Sequence, residues 1–585
     1  MCHLNFLKTS PISFITIPLL LFIATQGLAS PNPDSELLRQ QERQENLIQK
    51  NQTTPNIRLE MHEDDGTAER IPKNETPCFH INNIVLKNFN KINDIDSNST
   101  NHKFSWALDA AHYTKEGIPD SATHRCLGSK GINLIMKRIQ NAIVAKGYVT
   151  TRILAMPQDL KTGQLTLTIV PGKIRNIRFK TPNPRATYSN AIPSRKDNLL
   201  NLRDIEQALE NFKRLPTVET DIQIQPTNAK NARPGESDLE IAWHQNFPFR
   251  LNLFIDNSGS ETTGKYLGGA TFSYDNFLTL NDLLYISANQ DLGGGIKGAR
   301  GTKGRTFHYS IPYGYWLISF TTSQNSYHQT IIGDPPYTYS GNSENAEIKL
   351  SKLAYRDAKR KITGYLSGWV RESQNFIDDT EIEVQRRRMA GLEIGVNHQE
   401  YIDSTTLNLG LAYRWGINAM NAIEAPEESF GEGTSKPRII KFNSSLNYPF
   451  TLSNKLVTYQ NQIQIQRNLT PLVPQDRFSI GSRYTVRGFD GENTLTGDYG
   501  WLIRNNLLTR IGNSNHQAYI GLDYGSVGGQ STTRLHDKDL SGIALGIKGG
   551  FKNLYYDAFF ARYLIKPKNI VTASPVFNFN LNWSF

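Results

Sequence analysis

After its first thirty residues the chain contains no apolar run near the roughly 20 residues a helix needs to cross a bilayer. Cysteine is almost missing, with three in 585 residues: Cys2, Cys78 and Cys126. No Walker-type pattern is present, and the glycine run at 293–295 lacks the Lys-Ser/Thr pair and helix context of a phosphate cradle. Neither a nucleophile elbow nor a metal-ligand spacing among the 12 histidines occurs, so neither an enzyme nor a metal or cofactor site is expected. The net charge of +10 would suit nucleic acid, but Lys and Arg are scattered through alternating segments instead of gathered on one helix with interleaved aromatics. Nucleic acid is therefore not the expected partner.

What is present is a wealth of aromatics and glycine: 27 Phe, 25 Tyr and 44 Gly. Hydrophobic residues make up only 38% and mean hydropathy is −0.47, values typical of a water-soluble chain. A β-barrel gives the same bulk numbers, because its apolar residues alternate with polar ones. With membrane helices excluded, a closed barrel is the remaining way to pair every backbone group inside lipid.

The start of the chain reads as an export signal: Lys8, a short apolar core at 12–24, and small residues at Gly27 and Ala29, where cleavage is expected. A membrane anchor is the competing reading, and the run is short for one. Cleavage would remove Cys2 and leave Cys78 and Cys126 as an even pair in an oxidising compartment, so one disulfide is expected. A zinc site using that pair with His80 and His124 would need more ligands than they obviously supply.

Residues 35–49 follow Pro33-Asp34, lack Gly and Pro, and predict a short helix. Its only apolar residues are Leu37, Leu38, Leu47 and Ile48, too few for a stripe that an ordinary core could hold. Such a helix either floats or sits in a wet cavity. The following stretch, rich in charge, Asn, Thr and Pro without period, reads as a linker.

From 78 to 245 helical and strand patterns alternate. Ile132, Ile135, Ile139 and Ile143 share a helical face ended by Gly147, and Leu165, Leu167 and Ile169 alternate as a strand. A second unit repeats the plan, with a helix marked by Leu202, Ile205, Leu209 and Phe212. Two strands follow it, one carrying Ile222 and Ile224, the other Leu239, Ile241 and Trp243. Two small α+β modules result.

Beyond 246 the helical period disappears. Roughly 340 residues at about 21 per strand and connection give about sixteen antiparallel strands. The last segment is the clearest: Phe577, Phe579, Leu581, Trp583 and Phe585 alternate strictly with Asn578, Asn580, Asn582 and Ser584. That pattern fits one lipid face and one wet face; the closing strand of a soluble sandwich is the competing reading.

Several segments resemble the outer-membrane transporters of two-partner secretion, the TpsB or haemolysin secretion/activation family. They are residues 306–314 (TFHYSIPYG) with Trp316, the strand end Tyr355-Arg356-Asp357, the run Gln385-Arg386-Arg387-Arg388, and above all Val486-Arg487-Gly488-Phe489. The resemblance covers the mature chain. It implies a signal peptide at 1–29, a plug helix at 30–50, a linker at 51–76, POTRA domains at 77–172 and 173–245, and a barrel of about 16 strands at 246–585.

In that family the tetrapeptide marks a long extracellular loop folded back into the barrel, whose usual partner is a late-strand Asp. Gly521-Leu522-Asp523 matches in its glycine variant. The residues support the pairing. Ala518, Ile520, Leu522 and Tyr524 alternate with Tyr519, Gly521 and Asp523, so Asp523 points into the lumen if the first set faces lipid. A carboxylate tolerates only that side, and the fork of Arg487 suits it. An exposed, unpartnered Arg487 is the competing reading. The 385–388 run fits a solvated strand end as well as a contact with substrate or lipopolysaccharide.

The resemblance further implies an unfolded exoprotein partner of haemolysin, adhesin or contact-dependent toxin type, bound by the POTRA domains. It also implies lodging among outer-membrane lipid and lipopolysaccharide, and a C-terminal strand presented to the barrel-assembly machinery during biogenesis. An assembly factor that inserts other barrels is the alternative function.

Overall fold

A computed structural model describes residues 33–51, 55–59, 69–89 and 103–585; the expected signal peptide lies outside the described residues. Sixteen antiparallel strands, from Phe249–Asp256 to Val576–Ser584, close into a barrel. The last strand pairs with the first, Leu581 facing Ile255 and Trp583 facing Leu253.

The alternation in sequence sorts the side chains. On the strand Gln517–Gly528, Ile520 and Leu522 are exposed to the lipid side, whereas Tyr519 and Asp523 are buried inward. Phe577, Leu581, Trp583 and Phe585 are exposed, Phe579 is half-exposed, and Asn578 is buried. Strands extend well past the apolar stretches. Trp316–Ile331 carries Trp316, Ile318 and Phe320 outward only in its first third, and Tyr337–Arg356 runs 20 residues with a polar upper half. A strand that rises beyond the bilayer is wetted on both faces and keeps its hydrogen-bond ladder without an apolar period.

Two small modules precede the barrel. In the first, helix α2 (Ser129–Ala145) packs Ile135, Ile139 and Ile143, all fully buried, on Leu165, Leu167 and Ile169 of a three-stranded sheet. Gly147, at φ +95°, ends the helix, as its position past the last periodic residue predicts. Cys78 and Cys126 are joined in a disulfide beside the short sheet formed by Phe79–Ile81 and Arg125–Leu127.

The stretch expected to be a bare linker contributes to both modules. Ile71 is buried in the first core, and Glu75 accepts hydrogen bonds from the Gly128, Lys130 and Gly131 amides at the start of α2. Residues 55–59 lie against the second module, with Ile57 and Leu59 packed on its core. An isolated apolar residue carries no period, so neither contact leaves a signature in the pattern.

In the second module α3 (Leu202–Lys213) starts at Asn201, whose side chain caps the Arg203 amide. It packs Ile205, Leu209 and Phe212 on the strands Lys173–Phe179, Glu236–Gln245 and Val218–Pro226. This module sits on the turns at one end of the barrel. Asn211 donates to Gly314 O at 2.8 Å, Arg214 to Ser310 Oγ at 2.6 Å, and Thr217 to Asp275, which Arg250 grips with two bonds of 3.1 and 2.9 Å.

Candidate functional site

Among the described residues, two pieces of the chain enter the lumen. The connection 469–498 folds inward, and helix α1 (Pro33–Asn51) stands inside the barrel.

Val486 and Phe489 are buried with Ile480, Leu502, Val527 and Leu540, and the Phe489 ring stacks on Tyr563 at 6.1 Å. Between them Arg487 turns the other way. Its Nε donates to Asp523 Oδ2 at 2.6 Å, its Nη2 to Oδ1 at 2.7 Å, and its backbone amide to Oδ2 at 3.1 Å. Three bonds to one carboxylate compensate charges that would be costly to bury singly. Gly488 has φ +103°, and a Cβ there would meet the Arg562 backbone at 2.6 Å, so the tip needs glycine. A Cβ on Gly521 would collide with Arg487 Nη2. Asp490 holds the loop further, accepting from the Ala573 amide at 2.6 Å.

Helix α1 meets both loop and wall through polar groups. Arg39 donates to Gly491 O at 2.6 Å, while within the helix Glu36 pairs with Arg39 at 2.5 Å and Arg43 at 2.9 Å. Ser482 of the loop donates to Glu42, and Ser323 of the wall to Gln44, both at 2.8 Å. Leu37 has an apolar niche beside Tyr327 and Tyr339. A cavity of about 1160 Å³ remains between helix and wall, bordered by Glu42 and Glu45 of α1, Arg371 and Arg414 of the wall, and Glu210 of the second module.

The basic run pairs at the strand ends: Arg386 with Glu381 at 2.5 Å, Arg387 with Glu427, and Arg388 with its cross-strand neighbour Glu372 at 2.7 Å, while Gln385 accepts from Tyr339. Sequence reasoning missed the buried junction around Arg356, whose side chain is 2% exposed and contacts Glu206 and Glu210 of α3 at 2.9 and 2.8 Å. The Glu spacing of four on one helix face was the available signal.

Residues 235–549 match the family of haemolysin secretion/activation proteins ShlB/FhaC/HecB, and residues 112–172 and 173–226 match POTRA domains, the former ShlB-type. The chain belongs to this family. Outer membrane transporter CdiB-2 of Burkholderia pseudomallei (strain 1026b) is 31% identical over 98% of this chain and 99% of its own. Hemolysin transporter protein HpmB of Proteus mirabilis is 25% identical over 70% of this chain and 71% of its own. Among solved structures, CdiB from Acinetobacter baumannii aligns with a TM-score of 0.81 at 28% identity, covering 96% of this chain and all of that one. As a family member the chain is an outer-membrane transporter of two-partner secretion, with its POTRA domains in the periplasm, and not an assembly factor for other barrels.

Proposed function

We propose that the lumen is the path of an unfolded exoprotein of haemolysin, adhesin or contact-dependent toxin type, and that α1 is a plug that leaves to open it. The observation that carries this reading is how α1 is held. Its contacts with loop and wall are hydrogen bonds to Gly491, Ser482 and Ser323, with Leu37 in the niche beside Tyr327 and Tyr339 and Leu38 also buried. Such bonds contribute about 1 kcal/mol each and can be exchanged for bonds to water, so release gives up mainly the burial of these two leucines.

The POTRA sheets offer unpaired edges, such as the strand Val218–Pro226, to which an extended substrate can add through main-chain bonds. The Arg487–Asp523 contact keeps the inward loop in place while the plug moves. Folding of the cargo outside supplies the driving force, and the chain works without catalysis or a cofactor. Co-expression with a two-partner exoprotein tests the reading: cargo is expected in the medium only when the transporter is present, and export without it contradicts the proposal.

A further inference from the structure

Residues 55–59 occupy a groove between α3, the turn after Arg356 and the strand Arg387–Ile402. The Ile57 amide donates to Glu210 Oε1 at 2.9 Å and the Leu59 amide to Glu206 Oε1 at 2.8 Å. Arg356 Nη2 closes the cradle by donating to Ile57 O at 2.5 Å. These three bonds read only the main chain. The spacing explains the fit: carboxylates four apart on a helix stand about 6 Å apart along its axis, and alternate amides of an extended chain about 6.6 Å.

Side chains add a simple pattern. Ile57 and Leu59 pack on the core of the second module, whereas Arg58 lies over the Tyr401 ring at 4.3 Å and Asn56 accepts from its hydroxyl at 2.5 Å. An apolar–polar alternation with main-chain recognition is what any β-forming segment can present. The place also suits a chain in transit, since Pro55 and Glu210 both border the lumen cavity.

A short tether couples the groove's occupant to the plug. Helix α1 has 19 residues and is about 28 Å long. The four steps from Asn51 to Pro55 reach at most about 14 Å. Withdrawal of the whole helix with 55–59 still seated would require that tether to be taut both before and after.

We propose that this cradle of Glu206, Glu210 and Arg356 is a binding site for an extended, alternating segment of the exoprotein, kept filled in the resting transporter by the chain's own residues 55–59. Plug release and exposure of the site are then one event. This inference rests on the transporter reading above.

The test uses the full-length protein in detergent and a fluorescein-labelled peptide of residues 54–60. Ile57→Asp with Leu59→Asp removes the internal occupant's anchors, and the peptide is expected to bind that variant at least tenfold tighter than wild type. Adding Arg356→Met is expected to abolish the gain; where that variant does not give a folded barrel, Glu210→Leu replaces it. The unfolded N-terminal secretion domain of an exoprotein that the transporter exports is expected to displace the peptide. Equal binding to wild type and the double variant, retention of binding without Arg356 or Glu210, or no displacement would each overturn the proposal. Wild-type cells that export no exoprotein would instead contradict the transporter reading, which peptide binding does not depend on.

Discussion

Arg487 meets Asp523 with both arms of its fork, and the two side chains are 2% and 0% exposed. A buried charge that loses its partner costs about 3 to 5 kcal/mol. Asp523→Ala and Arg487→Ala are each expected to cut secretion of the exoprotein into the medium. Gly521→Ala should resemble Arg487→Ala, because the added methyl takes the place of the guanidinium. The combination should be no worse than Arg487→Ala alone, since both changes remove one contact. Additive losses would show that Gly521 matters for another reason.

The first POTRA domain rests on a half-buried acid. Burial works against the charge on Asp120, but the Ile71 amide and the guanidinium groups of Arg138 and Arg125 outweigh it and hold the carboxyl below its ordinary 3.8. A lowered native value means that the stabilisation is complete above that pH and lost as pH falls through the lowered value. Asp120→Asn is expected to destabilise the domain by about 2 kcal/mol at neutral pH, the scale of hydrogen bonds to a charged group. Urea unfolding followed by hydrogen exchange in α2 should show the gap from wild type narrowing as pH drops below 3.8. A gap that is constant with pH contradicts the assignment.

The disulfide closes a loop with a sequence separation of 48. The chain-entropy account gives about 4 kcal/mol for such a loop. Replacing Cys78 and Cys126 with Ser is expected to make residues 69–172 sensitive to protease while the barrel keeps its resistance to cold SDS. Unchanged protease resistance would show that the core of Ile135, Ile139 and Leu167 suffices.

Much of this was legible in the residues. Ile135, Ile139 and Ile143 announced α2, Ile205, Leu209 and Phe212 announced α3, and the alternation at 577–585 announced the closing strand. The Arg487–Asp523 geometry could be argued because a carboxylate among lipid-facing alternates has one tolerable side. Other parts had no pattern to read. The upper halves of Trp316–Ile331 and Tyr337–Arg356 lie beyond the lipid, where nothing imposes apolar alternation. Ile57, Leu59 and Ile71 are single apolar residues in polar surroundings, and their partners stand far away in sequence: Glu206 and Glu210 of α3, Asp120 of the first module and Arg356 of the barrel. Only the folded chain brings them together.

The plug is the central claim, and single-channel conductance in planar bilayers tests it most directly. Deleting residues 33–51 removes the helix that Gly491, Ser482 and Ser323 hold in the lumen. The deletion variant is expected to show a larger, steadily open conductance than the full chain. A conductance equal to that of the full chain would contradict the account.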